Sequence, residues 1–137
     1  MNPHVSVITL GVQDIQRSKT FYADGLGWPV HQDYPQWVSF PVCEGRSAIG
    51  LYPREALAGD AGLPASAGAP AGVTFSYIVS SDERVDGVMA EAEKAGATVL
   101  KAVERGQWGG ASGFFADPDG FVWKVASGGT PETFAAE

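Results

Sequence analysis

The order of strand-forming and helix-forming segments repeats along the chain, and this repeat constrains the fold more than any other feature of the sequence. Residues 5–12 are rich in β-branched side chains and predict a buried strand, which is followed by a helix and three further strands up to residue 52. The same succession returns between residues 73 and 126. We therefore predict an α+β fold built from two tandem βαβββ modules.

In the first module, the pattern predicts a helix of about three turns that begins after Asp14 and is stopped by Gly25 and Gly27. A proline in each of the next two segments favours an edge strand or a bulge, because proline cannot donate a hydrogen bond to a neighbouring strand. The strands predicted after this helix are residues 29–32, 37–42 and 47–52.

In the second module, Ser81 or Asp82 caps a helix that Gly96 ends. Residues 115–126, FADPDGFVWKVA, predict a strand, a tight turn and a second strand. We expect Asp117 and Asp119 to fix this turn through side-chain bonds to the backbone. The helix stripe consists of Val85, Val88, Met89 and Ala92, and the other strands are residues 73–79 and 98–103.

The two modules are predicted to form a single domain over residues 1–137, with module 1 at about 4–53 and module 2 at about 73–127. Residues 54–72 are rich in Gly, Ala and Pro without periodicity, which is typical of a linker, although PREALAG could form one or two helical turns. The tail, residues 128–137, is expected to be mobile.

Charge and cysteine content narrow the classes of partner. The nine basic residues are scattered and the formal net charge is −7, so nucleic acid and anionic membrane are poor candidates as partners. There is no run of 18 apolar residues, and the N-terminal segment lacks the pattern of a signal peptide. The single cysteine, Cys43, fits a reducing, cytoplasmic location.

Four segments resemble the vicinal oxygen chelate superfamily, which includes glyoxalase I, bleomycin-resistance proteins and extradiol dioxygenases. They are LGVQDIQRSKTFYADGLGW (10–28), FFADPDGFVWKV (114–125), AGATVLK (95–101) and WGG (108–110). The resemblance implies that the two modules form a curved mixed sheet around a cleft that holds a metal or a ligand. It also implies a homodimer.

The metal ligands of this superfamily lie in the first and last strand of each module. By resemblance, these positions fall on Val7, Gly50, Thr74 and Lys124. None of these side chains is a plausible ligand for a divalent metal, and a register slip by one residue does not supply one. We therefore expect no metal and no other cofactor.

The ligand-binding candidates lie on the predicted cleft side of the strands or in loops. Trp108 is the first candidate, because a large apolar side chain in a glycine-flanked loop has no evident role in the core. Lys124 either binds an anion or reaches the rim and pairs with a carboxylate. The further candidates are Thr9, Thr74, Ser76, Tyr52, Phe114 and Trp37.

Other aromatic side chains are expected to serve packing. Trp123 alternates with Lys124 along its strand, so we predict that it packs in the helix layer. Tyr34 and Phe40 are also expected in the core.

Two functions of different classes follow. The first is a metal-free protein that sequesters a small, partly apolar or aromatic ligand, as the bleomycin-resistance branch sequesters antibiotics. The alternative is a metal-dependent lyase, isomerase or dioxygenase resembling glyoxalase I, which would need non-standard ligands such as His4, His31 or Glu104, brought in by a partner chain. A structural or regulatory module is a third reading, because fold alone does not determine function.

Overall fold

The computed structural model of the chain describes residues 1–61, 73–107, 109–128 and 135–137. The chain divides into two compact units, Met1–Ala69 and Pro70–Glu137. Each unit contains a four-stranded mixed sheet with accompanying helices. The predicted α+β fold of two tandem βαβββ modules is therefore confirmed.

The first unit contains four strands in the order β1-β4-β3-β2, with β1 parallel to β4 and the other pairs antiparallel. Its elements are β1 (Val7–Val12), α1 (Ile15–Lys19), a π-helical segment (Thr20–Gly25), β2 (Gln32–Tyr34), β3 (Trp37–Val42), β4 (Ser47–Pro53) and α2 (Arg54–Ala61).

The second unit repeats this topology with the order β5-β8-β7-β6, and β5 is parallel to β8. Its elements are β5 (Thr74–Val79), α3 (Asp82–Ala95), β6 (Thr98–Arg105), β7 (Ala111–Ala116) and β8 (Val122–Ser127). In the part of the chain that is described, no helix is long and apolar enough to cross a membrane.

The first helix differs from the prediction of about three α-helical turns. The Asp14 side chain caps it by accepting a hydrogen bond from the amide of Arg17, but α-helical geometry ends at Lys19 and a π-helical segment continues to Gly25. This segment contains the adjacent residues Phe21 and Tyr22, and both are buried. Widened turns of this kind depend on tertiary packing, which the helical periodicity of the sequence does not encode.

The strands predicted around the two prolines agree only in part, because β2 is an edge strand as predicted but contains no proline. Strand β2 is Gln32–Tyr34, so residues 29–31 are not part of it. Strand β3 is not an edge strand, because it lies between β4 and β2. Its Pro41 is tolerated because β2 pairs only with Trp37, Val38 and Ser39 and ends before it reaches the proline.

Three local signals in the second unit, at Ser81, Gly96 and Asp117, act as predicted, whereas Asp119 takes part in the turn through its amide. Ser81 caps α3 by accepting a hydrogen bond from the amide of Arg84, and Gly96 ends the helix in the left-handed conformation with φ of 115°. The buried carboxylate of Asp117 accepts hydrogen bonds from the amides of Asp119 and Phe121, each at 2.9 Å. These bonds fix the turn of the β7–β8 hairpin.

The structure describes the first part of the predicted linker and the last residues of the tail. The helical option for PREALAG is realised, since α2 covers Arg54–Ala61; residues 62–72 lie outside the described residues. In the tail, 129–134 also lie outside them, but the last residues are held in place. The amide of Ala136 donates to the carbonyl of Ile78 at 2.7 Å. The Glu137 carboxylate accepts hydrogen bonds from the Tyr77 hydroxyl and the Arg84 guanidinium.

Candidate functional site

Each sheet has one face packed in the core and one face opposite to it, which we call the open face. In the first sheet, alternate residues of β1, β3 and β4 are buried, namely Leu10, Val12, Val38, Phe40, Ile49 and Leu51. Because side chains alternate along a strand, the residues between them face the other way. The open face of the first sheet therefore carries Val7, Thr9, Trp37, Ser39, Gly50 and Tyr52.

The centre of this face is occupied by the indole ring of Trp37. Gly50 lies between Thr9 of β1 and Ser39 of β3 in the strand register. A Cβ at residue 50 would lie 2.1 Å from Cη2 of Trp37 and 2.7 Å from two further ring atoms. The ring thus fills the space that any side chain at residue 50 would need.

Polar contacts hold this ring in place. The Trp37 Nε1–H donates to Oε1 of Gln32 at 2.9 Å, and the Ser39 hydroxyl donates to the same oxygen at 3.0 Å. Tyr52 meets the indole at 70° with a centroid separation of 6.1 Å, which is an edge-to-face contact. We refer to Trp37 and Tyr52 as the aromatic platform.

Tyr34 corrects one prediction. We expected it in the core, but it is 60% exposed. Since it pairs with Trp37 in the β2–β3 register, it lies on the open face at the edge of the platform. Phe40, by contrast, is fully buried, as predicted.

The open face of the second sheet carries a lysine at its centre. Lys124 lies on β8 between Ser76 of β5 and Phe114 of β7. Its ammonium group is 5.8 Å from the centroid of the Phe114 ring. Within the described residues no carboxylate is in ion-pair range of Lys124, whereas Lys101 on β6 pairs with Glu104 at 3.4 Å.

The strand register makes the predicted metal positions of the two units equivalent. Gly50 pairs with the third residue of β1, and Lys124 pairs with the third residue of β5. Val7 and Thr74 are the first residues of those strands, and both are exposed.

These four residues do not fit a divalent metal ion. Gly50 has no side chain and its space is filled by the Trp37 ring. Lys124 is cationic, Val7 has no donor atom, and the Thr74 hydroxyl is a weak ligand.

The other residues considered as metal ligands do not form a cluster in the described part of the chain. His4 and His31 are exposed, and Glu104 pairs with Lys101. Across residues 1–61, 73–107, 109–128 and 135–137, no group of three His, Cys, Asp or Glu side chains could hold a metal.

Two tryptophans from the sequence analysis remain, Trp108 and Trp123. Trp108 lies outside the described residues. Trp123 is buried between Phe75, at 5.1 Å, and Phe115, which stacks on it at 6.2 Å, so its predicted packing role is confirmed.

Gln32 is the residue of the first sheet that the sequence analysis missed. Its contact with Trp37 depends on the pairing of β2 with β3, in which Gln32 lies opposite Ser39, and no sequence signal marks it. A depression of about 570 Å³ lies at the start of α1, but none of the predicted site residues lines it. Asp14, which does line it, already caps the helix.

Comparison with known proteins relates the chain to a large superfamily. A family model described as "Glyoxalase/Bleomycin resistance protein/Dioxygenase superfamily" matches residues 4–125. No match was found among curated proteins.

Several solved structures share the fold. A glyoxalase-related enzyme from Fulvimarina pelagi is 27% identical, with a TM-score of 0.84 over 93% of this chain and 89% of that chain. A glyoxalase/bleomycin resistance protein/dioxygenase from Nocardioides is 22% identical, with a TM-score of 0.76 and coverage of 96% and 89%. The lactoylglutathione lyase from Agrobacterium tumefaciens is 24% identical, with a TM-score of 0.68 and coverage of 93% and 96%. At these lower identities the last two show a common fold alone.

Proposed function

The chain belongs to the glyoxalase/bleomycin resistance protein/dioxygenase superfamily, and from this premise we propose that it is a metal-free binding protein for a small, partly apolar or aromatic molecule. The observation that carries the proposal is the position of Trp37, whose ring covers Gly50 on the open face of the first sheet. In this unit an aromatic ring covers the position that, by resemblance, corresponds to a metal ligand of the superfamily.

The aromatic platform has the properties of a stacking surface. Trp37 and Tyr52 are only half-buried, so part of each ring is available to a ligand. A stacked aromatic pair contributes about 0.5–1.5 kcal/mol beyond the area that it buries. Because Gln32 already fixes the indole, little side-chain entropy is lost on binding.

Sequestration requires neither acid–base groups nor a metal, which agrees with the chemistry of the open faces. Thr9 on the first sheet has a hydroxyl that makes no hydrogen bond within the described residues, so it can bond a polar group of a ligand on that face. Binding by an apolar surface with a few polar groups is typical of small-molecule sites.

The first experiment measures metal content of the purified protein, followed by thermal unfolding with Ni²⁺, Zn²⁺, Mn²⁺, Fe²⁺ and a chelator. We expect no stoichiometric metal and no change in Tm. A stoichiometric metal with a Tm shift that the chelator reverses would instead support the alternative, a metal-dependent lyase, isomerase or dioxygenase.

The second experiment measures binding of a neutral aromatic probe, 2-naphthamide, by isothermal titration. Trp37→Ala should weaken binding by about tenfold, the loss of one stacking contact and its buried area. Leu100→Ala is the control, because Leu100 is an exposed apolar residue on β6. Equal affinity of the wild type and the Trp37 variant would remove the aromatic platform from the binding site.

A further inference from the structure

We infer that the open face of the second sheet contains an anion subsite centred on Lys124, which binds a molecule with a carboxylate or a similar anionic group next to an apolar part. This inference rests on the proposed function and specifies the class of ligand. It is drawn from the second unit alone.

Lys124 occupies a position where a lysine needs a partner. Strand β8 is central in its sheet, with β5 on one side and β7 on the other, and the Lys124 side chain is half-buried. Long charged side chains are rarely placed at the centre of a sheet, because burying an unpaired charge costs free energy.

No counter-ion within the described residues offsets that cost. The neighbouring lysine on the same sheet, Lys101, pairs with Glu104 at 3.4 Å, but Lys124 pairs with no carboxylate of the part of the chain that the structure describes. Within the described ranges its one side-chain partner is the Phe114 ring, 5.8 Å from the ammonium group. A cation–π contact of this kind compensates only part of the hydration that a half-buried ammonium loses.

The residues beside Lys124 complete a binding arrangement for a carboxylate. Ser76 lies opposite Lys124 in the β5–β8 register, is exposed, and makes no hydrogen bond within the described part of the chain. Its hydroxyl can donate to the second oxygen of a carboxylate whose first oxygen accepts from Lys124. On the other side, the half-buried Phe114 ring offers an apolar surface.

This arrangement favours one charge type. A cationic ligand would lie against the ammonium group of Lys124 and would be repelled by it, because like charges in contact repel each other. A neutral ligand would leave the ammonium without a counter-ion. An aromatic or aliphatic acid satisfies Lys124, Ser76 and Phe114 together.

The test compares three probes of the same shape: 2-naphthoate, 2-naphthamide and 2-naphthylmethylammonium. The wild type should bind the acid at least about tenfold more tightly than the amide, and the amine most weakly, because a hydrogen bond to a charged group is stronger than a neutral one. The preference for the acid should fall with added salt.

Variants assign the preference to the lysine. Lys124→Met should bring the affinity for 2-naphthoate down to that for 2-naphthamide, whereas Lys124→Arg should retain the preference. Lys94→Met is the matched control, because it removes the same charge from an exposed position on α3. A preference for the acid that survives in Lys124→Met would overturn the inference.

A spectroscopic readout covers the case in which these probes bind weakly. The side-chain ammonium resonance of Lys124, assigned by its loss in Lys124→Arg, should shift saturably when 2-naphthoate, benzoate or acetate is added. If none of the three acids shifts this resonance, the anion subsite does not exist. If the wild type binds 2-naphthoate and 2-naphthamide equally and Trp37→Ala weakens both, the proposed function is retained and only the anion subsite is rejected.

Discussion

The indole ring of Trp37 lies on the backbone of Gly50, at a distance that leaves no room for a side chain on the glycine. Gly50→Ala should therefore displace the ring and lower the free energy of unfolding by about 1–3 kcal/mol, the usual cost of overpacking. The measurement is chemical denaturation of both single variants and the double variant with Trp37→Ala. In the double variant the added methyl group should cost much less, which shows coupling between the two sites.

Gly59→Ala serves as the matched control for this prediction. Gly59 lies in α2, is exposed, and a Cβ there would meet nothing within 4 Å. The same substitution should thus stabilise the protein by about 0.5–1 kcal/mol through helix propensity. Destabilisation of similar size at both positions would contradict a specific contact between Trp37 and Gly50.

Gln32 should fix the orientation of the platform. Gln32→Leu removes the oxygen that accepts hydrogen bonds from both Trp37 and Ser39. We expect a loss of stability of about 1–3 kcal/mol, because the Ser39 side chain is buried and would lose its partner. The indole N–H resonance of Trp37 should also exchange faster with solvent. Gln32→Glu retains the acceptor and should preserve the slow exchange.

Asp117 should govern the stability of the β7–β8 hairpin. Asp117→Ala leaves the amides of Asp119 and Phe121 without their acceptor, at a cost of about 1–3 kcal/mol measured by denaturation. Asp117→Asn keeps an acceptor oxygen and should cost less. An equal loss in both variants would mean that the negative charge, and not the hydrogen bonds, stabilises the turn.

The contact between Tyr77 and Glu137 predicts a stability change at high pH. Burial first, and then the hydrogen bond to Glu137, raise the pKa of Tyr77 from 10.0 to about 12. The folded protein therefore holds this proton more tightly than the unfolded chain. The contribution of the protonated Tyr77 hydroxyl to the free energy of unfolding is complete below pH 10 and is lost as pH rises towards 12. Tyr77→Phe should remove this part of the alkaline decline in denaturation experiments.

Tyr34→Phe is the control, because Tyr34 is largely exposed. It should leave the alkaline decline in stability unchanged. If Tyr34→Phe removed the alkaline decline and Tyr77→Phe did not, the role of the Tyr77–Glu137 contact would be rejected. Glu137 stays ionised across this range, since Arg84 and then Tyr77 lower its pKa.

The parts of the fold with local signals could be predicted from the sequence. The cap of α3 at Ser81, its end at Gly96 and the turn at Asp117 depend on residues within a few positions of each other. The burial of Trp123 followed from its alternation with Lys124.

What could not be predicted depends on contacts across the sheet. The π-helical segment accompanies the burial of Phe21 and Tyr22, which helical periodicity does not express. Hydrophobicity alone did not reveal that Tyr34 lies on an exposed face. Above all, the sequence shows that position 50 is a glycine but not that a tryptophan 13 positions earlier covers it, because that contact follows from the β3–β4 register.

The packing of Trp37 against Gly50 also makes the order of substitutions at these two positions matter. A chain with glycine at position 50 and a small residue at position 37 can accept either a large ring or a new ligand side chain. Once the ring is present, every side chain at position 50 meets it at less than van der Waals distance. Placing a metal-binding carboxylate at position 50 would first require replacing the tryptophan, so two coupled substitutions, and not one, separate the present sheet from such a ligand.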